Sequence, residues 1–131
     1  MKSAVEIGAA AESFVSFKLR SFGIGVHAAA PGSPYDLIAE GKNCLLKIQV
    51  KGTKKPREGR YHFTTSKGRG HKNRYVADDV DIFAFVALDI EKVYLAPFAT
   101  ITGKTLKLAL KKFHCFDEKK EWFKNCHGLK R

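Results

Sequence analysis

The sequence predicts a mixed α/β (α+β) domain, a central β-sheet of mixed strand direction flanked by helices. Three observations carry this. A capped helical segment opens the chain, strand-like segments fill its middle, and helical patterning returns near its end. Tyr35 to Glu40 and Cys44 to Lys51 are joined by Gly41-Lys42-Asn43, which reads as a hairpin. Asp81 to Leu88 is a nearly continuous apolar run, the mark of a strand buried on both faces. The 131 residues fit one domain, 1–131, with a core over 4–98 and a C-terminal helical segment over 104–131. There is no internal repeat, no low-complexity segment and no linker long enough to divide the chain.

Each element has its own signal. Ser3-Ala4-Val5-Glu6 is a capping box, so a helix starts at about Ala4. Gly8, Ala9, Ala10 and Ala11 keep an early face small enough for another backbone to approach. Val15, Leu19 and Phe22 recur at helical spacing, and Gly23 supplies the stop. Glu12 shares the core-facing stripe with Val15 and Leu19, where a lone charge is costly and needs a partner or a cation. Ile24 to Ala30 reads as a short strand ended by Pro31-Gly32-Ser33-Pro34. Tyr61 to Thr64 is another, and Lys92 to Phe98 follows the turn Asp89-Ile90-Glu91. Thr105 to Phe113 is expected as an amphipathic helix and Glu118 to Asn125 as a second.

Charge is the strongest bulk signal. Lysine and arginine total 24 against 13 acidic residues, a formal net charge of +11. From Lys47 to Arg74 there are ten basic residues and a single acid, Glu58. A field of this kind attracts phosphate, because each cation near a polyanion releases a condensed counterion. The competing account is a solvated basic surface, and the clustering argues against it. No apolar run approaches the roughly 20 residues needed to cross a bilayer. The N-terminus lacks the pattern of a secretory signal, so a cytoplasmic, nucleoid-associated setting is expected. Cys44, Cys115 and Cys126 are odd in number and unevenly spaced, which favours reduced thiols over a disulfide framework. His114-Cys115 and Cys126-His127 match no common zinc spacing.

The hairpin can be put in register by arithmetic. If Gly41 faces Cys44, then Glu40 faces Leu45 and Asp36 faces Gln49. Strand alternation puts Lys47, Gln49 and Lys51 on one face, and Leu46, Ile48 and Val50 on the other. Asp36, Gln49 and Lys51 thus converge on one side of the sheet. Glu40 shares the face of Asp36 further along and is a weaker candidate.

Ser33-Pro34-Tyr35-Asp36, followed after about a dozen residues by Gln49-Val50-Lys51, resembles the core motif of the PD-(D/E)XK nuclease superfamily. The preceding helix, with Gly8 and Glu12, is similar to the glutamate-bearing first helix of its Holliday junction resolvases and homing endonucleases. The glutamine in Gln49-Val50-Lys51 is most like its intron-encoded homing endonucleases. Asp79-Val80-Asp81 leading into Phe83-Ala84-Phe85-Val86, then Val93-Tyr94-Leu95-Ala96-Pro97, also looks like that group. The resemblance covers roughly residues 4 to 98. Two departures stand out. The proline lies one place early, with Tyr35 between it and Asp36, and Gln49 stands where an acid is usual.

The resemblance implies a restriction-endonuclease-like core and a magnesium-dependent DNA endonuclease, with manganese as a substitute cation. Its centre would be Glu12, Asp36, Gln49 and Lys51, with Asp36, Glu12 and Gln49 around the metal and a 5′-phosphate left on the product. An amide brings no charge to a hard cation, so Glu12 would restore the charge that Gln49 lacks. Lys54, Lys55, Arg57 and Arg60 would hold the DNA backbone, and Arg69, Lys72 and Arg74 would lie in a loop that orders on DNA. Double-stranded or branched DNA is the expected partner, and paired cuts imply a homodimer or higher assembly, with 105–125 as interface or core. Three alternatives stay open: a Holliday junction resolvase, a DNA-binding module without catalysis, and a basic RNA-binding protein, in which Tyr61, His62 and Tyr75 would contact bases or else bury beside the sheet.

Overall fold

The computed structural model describes residues 3–65 and 79–119. Helix α1 (Ala4–Ser21) begins on the expected box: the Ser3 N–H donates to Glu6 Oε1 at 2.8 Å, and the Glu6 N–H donates to Ser3 Oγ at 3.2 Å. Such a cap contributes about 0.5–2 kcal/mol. The helix ends at Phe22, and Gly23 takes the left-handed backbone (φ 83°) that turns the chain into the sheet.

Strands β1 (Gly25–Ala28), β2 (Leu37–Gly41), β3 (Cys44–Thr53), β5 (Ile82–Ala87) and β6 (Lys92–Pro97) form one sheet in the order β1-β2-β3-β5-β6. Only β3 and β5 run parallel, and every other neighbouring pair is antiparallel. The mixed sheet expected from the sequence is therefore present. In the hairpin Gly41 pairs with Cys44, Glu40 with Leu45 and Leu37 with Ile48. Asn43 accepts the positive φ (62°) of the two-residue turn.

The sheet has two apolar faces. On one, Leu46, Ile48 and Val50 of β3 join Ile82, Ala84 and Val86 of β5 beneath Ala11, Val15 and Leu19 of α1. On the other, Phe83, Phe85 and Ala87 pack with Tyr61, Phe63, Leu108 and Phe113. Every residue of β5 is buried, as its continuous apolar run required. The aromatic face is dense: Phe63 lies 5.0 Å from Phe85, and Tyr61 lies 4.9 Å edge-on to Phe113, between ring centroids. Each such pair adds about 0.5–1.5 kcal/mol beyond its buried area.

The second face corrects the sequence reading. Thr105–Leu108, expected as the start of a helix, is strand β7, and it pairs antiparallel with β4 (Tyr61–Thr64) as a separate two-stranded ribbon. Leu110–Lys112 is a single 3-10 turn rather than part of the first expected helix, and Phe116–Lys119 is a 3-10 turn that includes only the first two residues of the second. The reason is the alternation of Leu106 and Leu108 with exposed Thr105 and Lys107, which has period two. With β4 available to take the hydrogen bonds, that period selects a strand. Among the described residues α1 is the one α-helix, so a ribbon covers the face for which helices were expected. Phe116 is core: it packs between Phe14 and Phe22 at 6.0 Å from each ring, and Lys18 Nζ meets Asp117 Oδ1 at 3.0 Å beside it. The rest of the second expected helix, with Trp122, lies outside the described residues.

Cys115 is a free, exposed thiol, but Cys44 is disulfide-bonded rather than reduced. An odd count of cysteines never excluded one pair beside one free thiol. Cys126 lies outside the described residues.

The close approach expected of the early small face is made by Ala11. A Cβ on Gly52 would lie 2.6 Å from the Ala11 Cβ and 3.4 Å from the Ile7 carbonyl oxygen, whereas a Cβ on Gly8 would meet nothing within 4 Å. Gly52→Ala is expected to lower stability by about 1–3 kcal/mol in denaturant unfolding, the usual cost of overpacking. In an Ala11→Gly background the same change should cost clearly less, since the clashing methyl is gone.

Candidate active site

The site lies where β2 begins and the second half of β3 runs past it. Asp36 precedes β2 by one residue and is held through its backbone on both sides. Its N–H donates to the Ile48 carbonyl oxygen at 2.8 Å, and its carbonyl oxygen accepts from the Ala29 N–H at 3.0 Å. Beyond the last β2–β3 pair, Leu37 with Ile48, the Val50 N–H donates to Asp36 Oδ2 at 2.8 Å. The carboxylate thus takes over as acceptor where the β2 ladder stops. Its position is fixed by the sheet.

Gln49 and Lys51 alternate with buried Ile48 and Val50, and both are half-buried on the face of Phe83 and Phe85, their register partners on β5. Glu12 reaches the same place from α1. It directly follows Ala11, whose contact with Gly52 sets the depth of the helix on β3, and it is half-buried beside the fully buried stripe of Ala11, Val15 and Leu19.

Electrostatics tie three of the four together. Burial raises the pKa of the Glu12 carboxyl above its ordinary value, and the neighbouring Asp36 charge adds to the effect. Burial raises Asp36 as well, against the opposing pull of the Val50 N–H and the Lys51 cation. Burial lowers the pKa of Lys51, and Asp36 pulls it back up. Two carboxylates and an ammonium thus share one partly desolvated volume, and each would be less strained in water. Such coupled shifts are typical of functional clusters.

The donor set fits a small divalent cation. A positive charge between Glu12 and Asp36 would relieve their mutual repulsion and compensate their lost hydration. Among the described residues, no group of three or more His, Cys, Asp or Glu could hold a metal ion. A cation here would therefore take its remaining ligands from the Gln49 amide, a backbone carbonyl and water, which suits magnesium's habit of keeping several waters.

Other candidates fall elsewhere. Glu40, the weaker candidate, lies toward the far end of β2, and its Oε2 meets His27 Nε2 at 2.8 Å on the surface. Lys54, Lys55, Arg57 and Arg60 are exposed on the loop that leaves β3 two residues after Lys51. Arg69, Lys72 and Arg74 lie outside the described residues, as does Tyr75. Tyr61 is not available to stack on a base: it is buried, and its hydroxyl donates to Asp89 Oδ2 at 3.0 Å. Two roles escaped the sequence reading. The Asp81 carboxylate accepts the Lys47 N–H at 2.8 Å, while its own N–H donates to the Lys47 carbonyl oxygen at 2.8 Å, closing the start of the parallel β3–β5 pair. His62 brackets Arg57: Nε2 meets the Arg57 carbonyl oxygen at 3.0 Å, and Nδ1 meets its guanidinium at 3.1 Å. An aspartate before a strand is a visible signal for the first, but nothing local signals the second.

A helix laid on a mixed sheet, with an acid where one strand starts and a lysine on its hairpin partner, is the geometry of a nuclease core. Residues 3–124 match the PD-(D/E)XK endonuclease family, and the chain belongs to it. Members of this family generally use divalent metal ions. Among solved structures, the bacterial homing endonuclease I-Ssp6803I is similar at 20% identity with a TM-score of 0.73, over 94% of this chain and 95% of that one. Hjc, a Holliday junction resolvase from the archaeal hyperthermophile Archaeoglobus fulgidus, is similar at 16% identity with a TM-score of 0.48, over 79% of this chain and 95% of that one. No curated protein matches the chain by sequence. The fold class expected from the sequence, a restriction-endonuclease-like core, is the one observed.

The raised carboxyls give a pH test with a definite sign. A carboxyl whose folded pKa is raised favours folding below its unfolded pKa, and that contribution is lost as pH rises through the folded value. Without divalent metal, Glu12→Gln should therefore unfold at a higher temperature than wild type at pH 7. The gap should close as pH falls toward 4.5, the ordinary glutamate value, since protonated glutamate and glutamine are then equivalent. Thermal melts at several pH values check this.

Proposed function

We propose that this protein is a magnesium-dependent endonuclease that hydrolyses phosphodiester bonds in duplex DNA, with Glu12, Asp36, Gln49 and Lys51 as its centre. The observation that carries the proposal is the placement of Asp36, anchored by the Val50 N–H, where its charge acts on half-buried Glu12 and on half-buried Lys51. Glu12 and Asp36 hold the cation, and Gln49 offers a neutral oxygen. Bound there, magnesium supplies Lewis acidity toward the phosphate and lowers the pKa of a coordinated water. The chain's own residues do the rest. The Val50 N–H fixes the rotamer of Asp36, so the carboxylate is set before substrate arrives. Lys51, placed beside Phe85 of β5 by the register of β3, stabilises the charge that grows on the phosphate oxygens, or orients the attacking water. Lys54, Lys55, Arg57 and Arg60 grip the backbone beside the cut. Manganese, which also prefers oxygen ligands, is expected to substitute. Two cuts require two such centres, so the working form is a homodimer or a higher assembly.

A second reading has one observation in its favour. With Gln49 in place of an acid, Glu12 and Asp36 are the two carboxylates that act on each other at the site, and a DNA-binding module on the same fold could dispense with a third.

Cleavage of supercoiled plasmid, linear duplex and a four-way junction separates these readings. Cutting should need magnesium and stop with EDTA. Lys51→Ala should slow it by about 10²–10³-fold, the scale for losing one transition-state cation or donor, and Asp36→Ala should abolish it. DNA affinity should stay near wild type in both, because the exposed cations are untouched. A preference for the junction would identify a resolvase. Binding to all three substrates with no cutting would favour the non-catalytic module, and full activity in Asp36→Ala would overturn the metal centre.

A further inference from the structure

The β4–β7 ribbon has two faces, and only one is explained by the core. Tyr61, Phe63 and Leu108 point inward and are buried. The outward face is made by the cross-strand pairs His62 with Lys107 and Thr64 with Thr105. Thr64, Thr105 and Lys107 are exposed and His62 is half-buried, with no acid among the four, although Glu58 of the adjoining turn lines the same concavity. At its base the ribbon is clipped: the Thr65 N–H donates to the Lys104 carbonyl oxygen at 2.7 Å, and the Thr65 hydroxyl donates to the Gly103 carbonyl oxygen.

The ribbon also stands beside the chemistry. Phe63 packs on Phe85, which is the register partner of Lys51, so the ribbon covers the sheet face that carries Gln49 and Lys51. The chain that joins β3 to β4 turns at Arg57-Glu58-Gly59-Arg60. Arg57 and Arg60 exchange two backbone hydrogen bonds of 2.7 and 3.1 Å, and Glu58 and Gly59 both have positive φ (52° and 79°). That is a type I′ hairpin turn, which matches the twist of flanking strands. With His62 bonded to its guanidinium and its carbonyl oxygen, Arg57 is preset at the mouth of the ribbon.

From this we infer that the outward face of the β4–β7 ribbon enters the major groove of duplex DNA and reads base sequence through Thr64, Thr105 and Lys107, with Arg57 held by His62 at its margin. The inference rests on the nuclease reading and goes beyond it by naming the specificity surface. A major groove admits a two-stranded ribbon, and its bases present donors, acceptors and the thymine methyl in distinct patterns. Threonine offers a hydroxyl and a methyl, and lysine bonds guanine O6 and N7. A merely solvated ribbon face would not need an arginine fixed beside it by a histidine.

The test equilibrates protein with a duplex pool randomised over about two helical turns, with calcium in place of magnesium, and sequences the bound fraction. Wild type, Thr64→Val/Thr105→Val, Lys107→Ala and Lys54→Ala/Lys55→Ala are compared, with plasmid cutting in magnesium measured alongside for wild type. Valine keeps the β-branched shape a strand favours, and unfolding midpoints confirm that each variant is folded; Lys107→Gln serves if the alanine variant is not. Wild type should enrich a sequence. The threonine and Lys107 variants should lose discrimination at particular base positions by about 5- to 100-fold, the range for one good base contact. The Lys54/Lys55 variant should weaken binding to all sequences alike. Unaltered enrichment in the threonine and Lys107 variants overturns the inference, as does a wild type that cuts but enriches nothing. A wild type that neither binds nor cuts overturns the nuclease reading itself.

Discussion

The ten residues of β3 carry two incompatible environments back to back, and the rest of the structure depends on keeping them apart. Leu46, Ile48 and Val50 need a dry surface, which α1 provides. Lys47, Gln49 and Lys51 face the other way, toward the aromatic face and the site. A strand alternates sides at every residue, so a slip of one place would bury two lysines beneath α1 and expose three aliphatic side chains. The Lys42-Asn43 turn sets that register from one end. Asp36 checks it at the other, since its carboxylate can accept the Val50 N–H only when the strands are in phase.

The same bond joins stability to chemistry. An acid that ends a β-ladder is anchored by the backbone, and its remaining lone pairs are left for a cation or a lysine. Glu12 and Lys51 then approach from separate elements, and burial works against the charge on each of them. The protein tolerates this because the groups are only half-buried and of opposite sign. A divalent cation would convert the repulsion between the two carboxylates into shared ligation. The half-buried cluster is therefore under electrostatic tension that a bound divalent cation would relieve.

A basic, exposed surface adjoins that cluster with little extra structure. Two residues beyond Lys51 the chain becomes an exposed basic loop, tightens into a type I′ turn, and returns as a ribbon strand above the same sheet face. Exposed cations and the ribbon thus extend from the strand that holds the lysine. Close packing of Phe63, Phe85 and Phe113 keeps the ribbon from swinging relative to the site, and precise placement of this kind is what an in-line attack on phosphate demands.

By itself the sequence determined whatever depends on neighbours along the chain. The Ser3–Glu6 cap, the Gly23 stop, the hairpin register and the double burial of Ile82–Ala87 are local patterns with one good solution each. Asp36, Gln49 and Lys51 could be grouped because a two-residue turn makes their spacing a matter of counting. Glu12 could be suspected because a carboxylate beside a buried helical stripe needs a reason. Only the tertiary structure decided what depends on a distant partner. Leu106 and Leu108 suit a helix or a strand nearly equally, and β4, more than forty residues upstream, settled the matter by supplying hydrogen bonds. The grip of His62 on Arg57 and that of Asp81 on Lys47 likewise join groups that no periodicity relates. Local sequence fixes backbone preference, whereas the choice between near-degenerate preferences, and the pairing of polar groups across space, is made by packing.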